Sequence, residues 1–291
     1  MQNFKSEQYT EIHIVENLKE KIRLQEYGIN IFQSIQSKSA LKKALKKELI
    51  TRDDEVAKTS DWVKNGQVYK LYSEQKEKKK VFDLKLEVLF EDEYLAVILK
   101  PGGYPTNGNY FKTIENALPF NLKESSEIDK LPFPQPVHRL DNPTSGILLV
   151  SKTLSAKSQL SVLFEQHQIQ KRYSAVVHDC LKEEQGEISS AIEGKKSLSR
   201  YKVEKIFQNK FKTYSLLSLW PETGRTHQLR IHLFSQGNPI VGDTIYGDEK
   251  NKYKLLLHAS SLQFIHPKTQ KRINIQTELP HKFVKFIDDL I

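Results

Sequence analysis

Three ionisable side chains, His138, Arg139 and Asp141, stand directly in front of an apolar run in the stretch "HRLDNPTSGILLVSK". Asn142-Pro143 initiates a turn, Ser145-Gly146 closes it, and a strand is expected from Ile147. Asp141 therefore sits on a loop, where a rigid strand behind it can hold its carboxylate against a ligand. Taken alone, the simpler reading is a side chain that caps its own turn. A second dense stretch is "WPETGRTHQLRIHLFSQGNPIVGDTIYG", residues 220 to 247. Thr226 as N-cap, Gly237 as C-cap residue and the i, i+4 pair Leu229 and Leu233 predict a helix from about His227 to Gln236. That places Arg230 in the first turn and Arg225 in the preceding loop. Guanidinium groups so placed either pair a buried carboxylate or hold phosphate oxygens in a bidentate fork.

Two other chemistries fit these residue types less well. A hydrolase built on Ser145, His138 and Asp141 would need all three on one turn, with no nucleophile-elbow pattern around the serine. A zinc site from His227, His232, His258 and His266 lacks any recognised ligand spacing, so no metal is expected.

The elements that must position these groups belong to a chain of 291 residues, long enough for one large or two ordinary domains. The single cysteine, Cys180, excludes an internal disulfide framework and a cysteine-based zinc site, which suggests a reducing compartment, the cytoplasm by default. The first residues have no apolar core of signal-peptide length, and no stretch approaches the roughly 20 apolar residues that span a bilayer, so neither secretion nor membrane insertion is expected. A net charge of +9 favours a polyanionic partner.

Residues 1 to 80 carry 17 Lys and Arg against 12 Asp and Glu. Within them "SKSALKKALKKELI" spaces Leu41, Leu45 and Leu49 four apart, with Lys42, Lys43, Lys46 and Lys47 interleaved and Ser37 or Ser39 as cap. The pattern predicts an amphipathic helix whose basic face suits a phosphate backbone. A helix pair followed by small strands is expected, with Asn65-Gly66 as a hairpin signal. This segment, roughly residues 17 to 73, resembles the small S-four-like RNA-binding domain in its order of basic helix, short strand and "WVKNGQVYKLY". The apolar-free "SEQKEKKK", residues 73 to 80, reads as a linker. The expected division is 1–80 for a small basic domain with its linker and 81–291 for a catalytic domain.

From Leu84 the chain turns β-rich. "LEVLFEDEYLAVILKP" holds two apolar runs around the acidic turn Glu91-Asp92-Glu93, and "GILLVSK", "RYSAVV", "SRYKVEKIFQ", "KTYSLLSLWP", "LLLHASSLQFI" and "RINIQT" are further strands. Many strands with few long helices argue for an α+β domain with a largely antiparallel sheet.

Residues 90 to 291 resemble the pseudouridine synthases, in the branch typified by the large-subunit enzyme RluA. The motifs are "HRLDNPTSGILLVSKT", "KRYSAVV", "TGRTHQLRIHL" followed by "GNPIVGDTIYG", and "LLLHA"; "LKPGGYPT", residues 99 to 106, resembles the family's first motif and is read as structural. The resemblance implies a mixed, mostly antiparallel sheet with flanking helices and a central active-site cleft. It implies that Asp141 is the essential aspartate, acting as nucleophile or base, Arg139 the arginine that fills the gap left by a flipped uridine, and Tyr173 the tyrosine that stacks on uracil and is a candidate to take the ring proton. Arg230 would be the arginine that pairs with the aspartate, and Leu257 the apolar contact under the base.

The chemistry asks for the same groups. Turning uridine into pseudouridine breaks a nitrogen to carbon glycosidic bond, rotates the base, forms a carbon to carbon bond and removes a ring proton. An arginine partner keeps a carboxylate ionised, and an aromatic face holds a base while it turns. No redox change or group donor is involved, so no cofactor is expected. The expected partner is ribosomal or transfer RNA, bound by a monomer. The alternative from another class is a non-catalytic RNA-binding or RNA-folding protein on the same fold.

Overall fold

The computed structural model describes residues 9–29, 31–35, 37–72, 81–208, 212–247 and 253–290. The chain divides into two compact units, Met1–Lys79 and Lys80–Ile291. The linker read at residues 73–80 lies outside the described residues.

The first unit holds β1 (Tyr9–Ile14), the single turn α1 (Leu24–Tyr27), α2 (Lys38–Lys46), β2 (Ile50–Arg52), β3 (Glu55–Val56) and β4 (Val68–Tyr72). Its antiparallel sheet runs β1-β4-β2-β3. The capping serine of α2 is Ser37, whose Oγ accepts the Ala40 N–H at 3.1 Å. Leu41, Ala44 and Leu45 are buried while Lys42, Lys43, Lys46 and Lys47 are exposed, so the four-residue spacing separates an apolar from a basic face.

Two expectations fail in this unit. A strand, β1, with the sequence "YTEIHI", precedes the helices. The hairpin is also elsewhere: Asp53 and Asp54 both adopt positive φ, 51° and 67°, and close β2 onto β3 as a two-residue turn. Asn65-Gly66 is a turn, but it leads into β4 and hydrogen-bonds the segment after β1, through Gly66 N–H to Val15 O and Leu18 N–H to Asn65 Oδ1.

The second unit contains β5 (Glu87–Glu91), β6 (Leu95–Lys100), α3 (Ile114–Asn121), β7 (Lys130–Pro136), β8 (Ser145–Thr153), α4 (Leu154–Glu165) and β9 (Gln170–His178). It continues with β10 (Gln185–Ile188), β11 (Ser199–Gln208), β12 (Thr213–Pro221), α5 (Gln228–Ser235), β13 (Leu257–Ile265), β14 (Arg272–Gln276) and α6 (His281–Asp288). One mixed sheet runs β10-β11-β12-β9-β13-β8-β6-β5, with β7 on β8 and β14 on β13. Its pairs are antiparallel except β13 with β8. This is the α+β architecture with a mostly antiparallel sheet that the strand pattern predicts.

Period-two alternation sends Ile98, Leu148, Val150 and Ala259 to one face, under Ile114 and Leu118 of α3. Val97, Leu149 and Phe264 go to the other, against Leu160 of α4. Leu217 and Leu257 pack under Leu229 and Leu233 of α5, and Val176 packs on Phe283 and Phe286 of α6. All nine residues of β8 are buried, and the strand begins two residues earlier than expected. Its parallel contact with β13 depends on Gly146, at φ 128°, where an added Cβ would lie 2.4 Å from the Ala259 backbone nitrogen. The turn bearing Asp141 thus leads into a fully buried strand.

Candidate active site

Asp141 stands at the end of a short chain of tethers. Leu140 before it is fixed on both sides by Thr106, whose Oγ1 donates to Leu140 O at 2.9 Å and accepts its N–H at 3.1 Å. The turn after it is closed by Thr144 N–H to Asp141 O at 3.1 Å. Beneath the turn Lys100, fully buried at the end of β6, donates to Pro101 O, Asn142 O and Thr144 O at 3.0, 3.2 and 2.8 Å. Three carbonyls match the three donors of one ammonium. Burial, with the Lys282 ammonium nearby, pushes the Lys100 pKa down to about 7 against the opposing pull of Asp141. The "LKPGGYPT" motif therefore acts as a clamp on the Asp141 turn.

These hydrogen bonds hold the backbone of the turn without using the Asp141 side chain, which settles the turn-cap reading. Among the described residues no turn N–H donates to the Asp141 carboxylate, which instead faces two side chains. Arg230 Nη1 lies 3.7 Å from Oδ2, and His227 Nε2 lies 3.9 Å from Oδ1. Both distances exceed a hydrogen bond, so the contacts are electrostatic.

Arg230 does not spend its fork on Asp141. Its Nε and Nη2 each reach Asp243, at 2.7 Å, in a bidentate pair with the two side chains 2% and 0% exposed. Asp243 also accepts the backbone N–H groups of Ile245 and Tyr246 at 3.0 and 3.1 Å. Burial opposes charge on both partners. Even so, the mutual hydrogen bonds hold the Asp243 carboxyl below the usual range and the Arg230 pKa above its ordinary value, with Asp141 adding to the second effect. Gly242, at φ 80° with Lys254 O where a Cβ would stand, lets this loop pack tightly. What remains of the guanidinium is Nη1, buried and without a hydrogen-bond partner, turned towards Asp141.

The other expected residues converge here to different degrees. A cleft of about 630 Å³ is lined by Arg139, Asp141, Tyr173, Arg225, Arg230 and Leu257, within the usual range for small-molecule sites. Tyr173 of β9 and Leu257 of β13 point to one face, Leu257 opposite Ala175 and Tyr173 opposite Ala259. Burial, and next the Asp141 charge, push the Tyr173 phenol upwards, so it keeps its proton. Arg139 is exposed at the rim, and Arg225 is exposed with its Nε on Lys196 O at 3.2 Å. Lys42, Lys43, Lys46 and Lys47 belong to the other unit.

The helix α5 carries Arg230 at its third position, as its spacing predicts, but the N-cap is His227 rather than Thr226. His227 adopts φ 55° and makes no side-chain cap bond, while Gly237 at φ 81° ends the helix as expected. The rival constellations come apart: Ser145 Oγ bonds His258 Nδ1 at 2.9 Å, not His138. His266 bonds Asp92, His232 bonds Ser197 and Ser199, and His227 bonds Tyr246, each in its own place.

Residues 94–235 match the family described as RNA pseudouridylate synthase. The chain is 36% identical to the ribosomal large subunit pseudouridine synthase D of Zymomonas mobilis, an alignment covering 68% of this chain and 70% of that protein. The chain belongs to the RNA pseudouridylate synthase family. It is also 34% identical to the tRNA pseudouridine synthase C of Vibrio vulnificus, over 67% of this chain and 91% of that one. Among solved structures it resembles human RNA pseudouridylate synthase domain containing 1, with 26% identity and a TM-score of 0.56 over 67% of this chain and 83% of that one. His227 in the cleft wall, and Asp243 and Tyr246 behind it, are residues to which the sequence pattern assigns no task. The signal for Asp243 is an acid flanked by Gly242 and Gly247 in a stretch rich in apolar neighbours.

His138, in the cleft wall, is a structural histidine. Its Nε2 accepts the Leu149 N–H at 3.0 Å, its ring packs on Phe164 with centroids 4.9 Å apart, and burial, followed by the Lys171 charge, pushes its pKa down to about 3. The folded state favours neutral imidazole, whereas the unfolded chain takes up a proton at an ordinary pKa near 6.5. Stability is therefore complete above about pH 6.5 and is lost as pH falls towards 3, by up to about 1.4 kcal/mol per pH unit. Urea denaturation of the wild type at pH 7 and pH 5 is expected to show this loss. His138→Gln, which keeps an acceptor for Leu149, should show a shallower pH dependence; an unchanged slope would assign the acid sensitivity elsewhere.

Proposed function

We propose that the protein converts specific uridines in structured ribosomal or transfer RNA to pseudouridine, with Asp141 as the essential carboxylate. The observation that carries this reading is a charged group on a clamped turn, left out of the turn's own hydrogen bonds and turned into a cleft beside a buried guanidinium. As a member of its family the protein is an RNA pseudouridine synthase, an isomerase acting on RNA. The roles of individual residues follow from their chemistry.

A uridine in a stacked helix is out of reach, so the target nucleotide must be extruded into the cleft. Arg139, exposed at the rim two residues from Asp141, would occupy the space that the base leaves in the stack. Uracil would lie over Tyr173 with Leu257 beside it, a face that tolerates rotation of the ring. The nitrogen to carbon-1′ bond breaks, carbon 5 bonds to carbon 1′, nitrogen 1 gains a proton and the hydrogen on carbon 5 leaves as a proton. Asp141 acts at the anomeric carbon or on the base, with the Arg230 guanidinium 3.7 Å from its Oδ2. Because the Tyr173 phenol is pushed up, it serves as a stacking face and a neutral donor more readily than as a base. Arg225 at the mouth suits a phosphate. The reaction has no net redox change and transfers no group between molecules, so it calls for no cofactor.

The basic first unit fits a second RNA contact, of the S-four-like kind, through the lysines of α2. We place the protein in the cytoplasm as a monomer; no helix among the described residues is long and apolar enough to cross a membrane.

Wild-type protein should release tritium from cellular RNA labelled at carbon 5 of uridine. Asp141→Asn should lower release by about 10³-fold or more while RNA affinity stays within a few-fold. No release by wild type from any cellular RNA would favour a non-catalytic RNA-binding role. Separately, replacing Lys42, Lys43, Lys46 and Lys47 by Gln should flatten the plot of log affinity against log salt, by roughly 0.7 to 0.9 for each phosphate no longer neutralised. An unchanged slope would remove α2 from the RNA interface.

A further inference from the structure

The two oxygens of Asp141 face different nitrogens. Oδ2 faces Arg230 Nη1 at 3.7 Å, whereas Oδ1 faces His227 Nε2 at 3.9 Å, a group with no task in the steps above.

Three features single this histidine out. Its backbone lies in the left-handed region, at φ 55° and ψ 21°, a conformation that costs a residue with a Cβ about 1 kcal/mol or more. Glycine would relieve that strain, and Ser, Thr, Asp or Asn would cap α5, which His227 does not do, so helix geometry gives no reason for a histidine. Second, its other ring nitrogen is fixed: Nδ1 lies 3.0 Å from Tyr246 Oη, with the two rings edge to face at 81° and centroids 5.7 Å apart. Third, Tyr246 is itself anchored. Its N–H donates to Asp243 Oδ1 at 3.1 Å, and the Arg230 guanidinium carbon lies 5.1 Å from its ring centroid.

Electrostatics chooses the tautomer. With the proton on Nδ1, the Nε2 lone pair would point at an anionic carboxylate. With the Tyr246 hydroxyl donating to Nδ1, the proton sits on Nε2 and the N–H points at Asp141, which is attractive. One loop, residues 243 to 247, then reaches both carboxylate oxygens: Asp243 through Arg230 to Oδ2, and Tyr246 through His227 to Oδ1.

We propose that His227 is a positioning residue for Asp141, with Tyr246 fixing its tautomer, and that this pair sets the rotation of the carboxylate over the flipped uridine. The proposal rests on Asp141 being the catalytic carboxylate. Arg230 places a cation 3.7 Å from Oδ2, and His227 presents an N–H to Oδ1, which makes the two oxygens unequal. At 3.9 Å the contact is electrostatic, and hydrogen bonds to catalytic groups tighten once substrate is bound.

The test measures kcat and KM for tritium release from cellular RNA labelled at carbon 5 of uridine, isolated from cells lacking the protein. His227→Gly should lower kcat by about tenfold to a hundredfold with little change in KM and an equal or higher Tm, because the backbone strain is relieved. His227→Gln, whose amide N–H can stand in for Nε2–H while keeping the strain, should recover most of the rate. Tyr246→Phe should fall between wild type and His227→Gly. Wild-type kcat in His227→Gly would overturn the proposal, as would equal losses in His227→Gly and His227→Gln. Asp141→Asn is measured alongside: persistent release there overturns the reading of the cleft, whereas an inert Asp141→Asn with a fully active His227→Gly overturns this proposal alone.

Discussion

A single buried guanidinium shared by two carboxylates is the interaction on which the cleft depends. Arg230 is 2% exposed, and a buried cation without a partner would cost several kcal/mol. Asp243 meets that cost with a bidentate pair and its own backbone donors, so Arg230 keeps its place whether or not Asp141 is engaged. The consequence is a division of labour. Two of the three guanidinium nitrogens are committed to structure, and Nη1 is held towards Asp141 without a hydrogen bond of its own. A carboxylate bound by the fork would have half of its lone pairs taken up by the guanidinium. Asp141, faced by Nη1 from 3.7 Å, keeps both oxygens outside the fork.

The rest of the second unit places Asp141 within reach of that nitrogen. The fully buried strand β8 leaves little freedom to the turn before it. Lys100 ties that turn through three carbonyls and Thr106 grips Leu140, so the position of Asp141 is set by backbone contacts and its side chain is free for chemistry. Across the sheet, the pairing of β13 with β9 sets Tyr173 and Leu257 on one face. Tyr173, Leu257 and the Asp141 turn therefore come from neighbouring strands of one sheet, and the exposed arginines are kept to the rim.

Much of this arrangement is legible in the sequence. Alternating apolar residues announce most strands of the sheet, the i, i+4 leucines announce α5, and the turn residues after Asp141 place it on a loop. The motifs also bring Asp141, Tyr173, Arg230 and Leu257 together. What escapes is what depends on partners distant in sequence. The family resemblance implies that Arg230 pairs with Asp141, yet the closer partner is Asp243, because an acid thirteen residues on reaches the fork only after α5 and its loop fold back. His227 replaces Thr226 at the N-cap because the chain enters α5 through a left-handed residue, which a capping preference does not foresee. Strand β1 and the turn at Asp53-Asp54 lack strong local signals, so the more familiar Asn-Gly pair draws the hairpin expectation away from them.

The central claim, that Asp243 acts on Asp141 through Arg230, is most directly tested by a double-mutant cycle on single-turnover rates of pseudouridine formation. Asp243→Asn and Arg230→Lys should each slow the chemical step, and the double variant should be no slower than the worse single one, because both remove the same arm. Effects that multiply, or a wild-type rate in Asp243→Asn, would contradict the account.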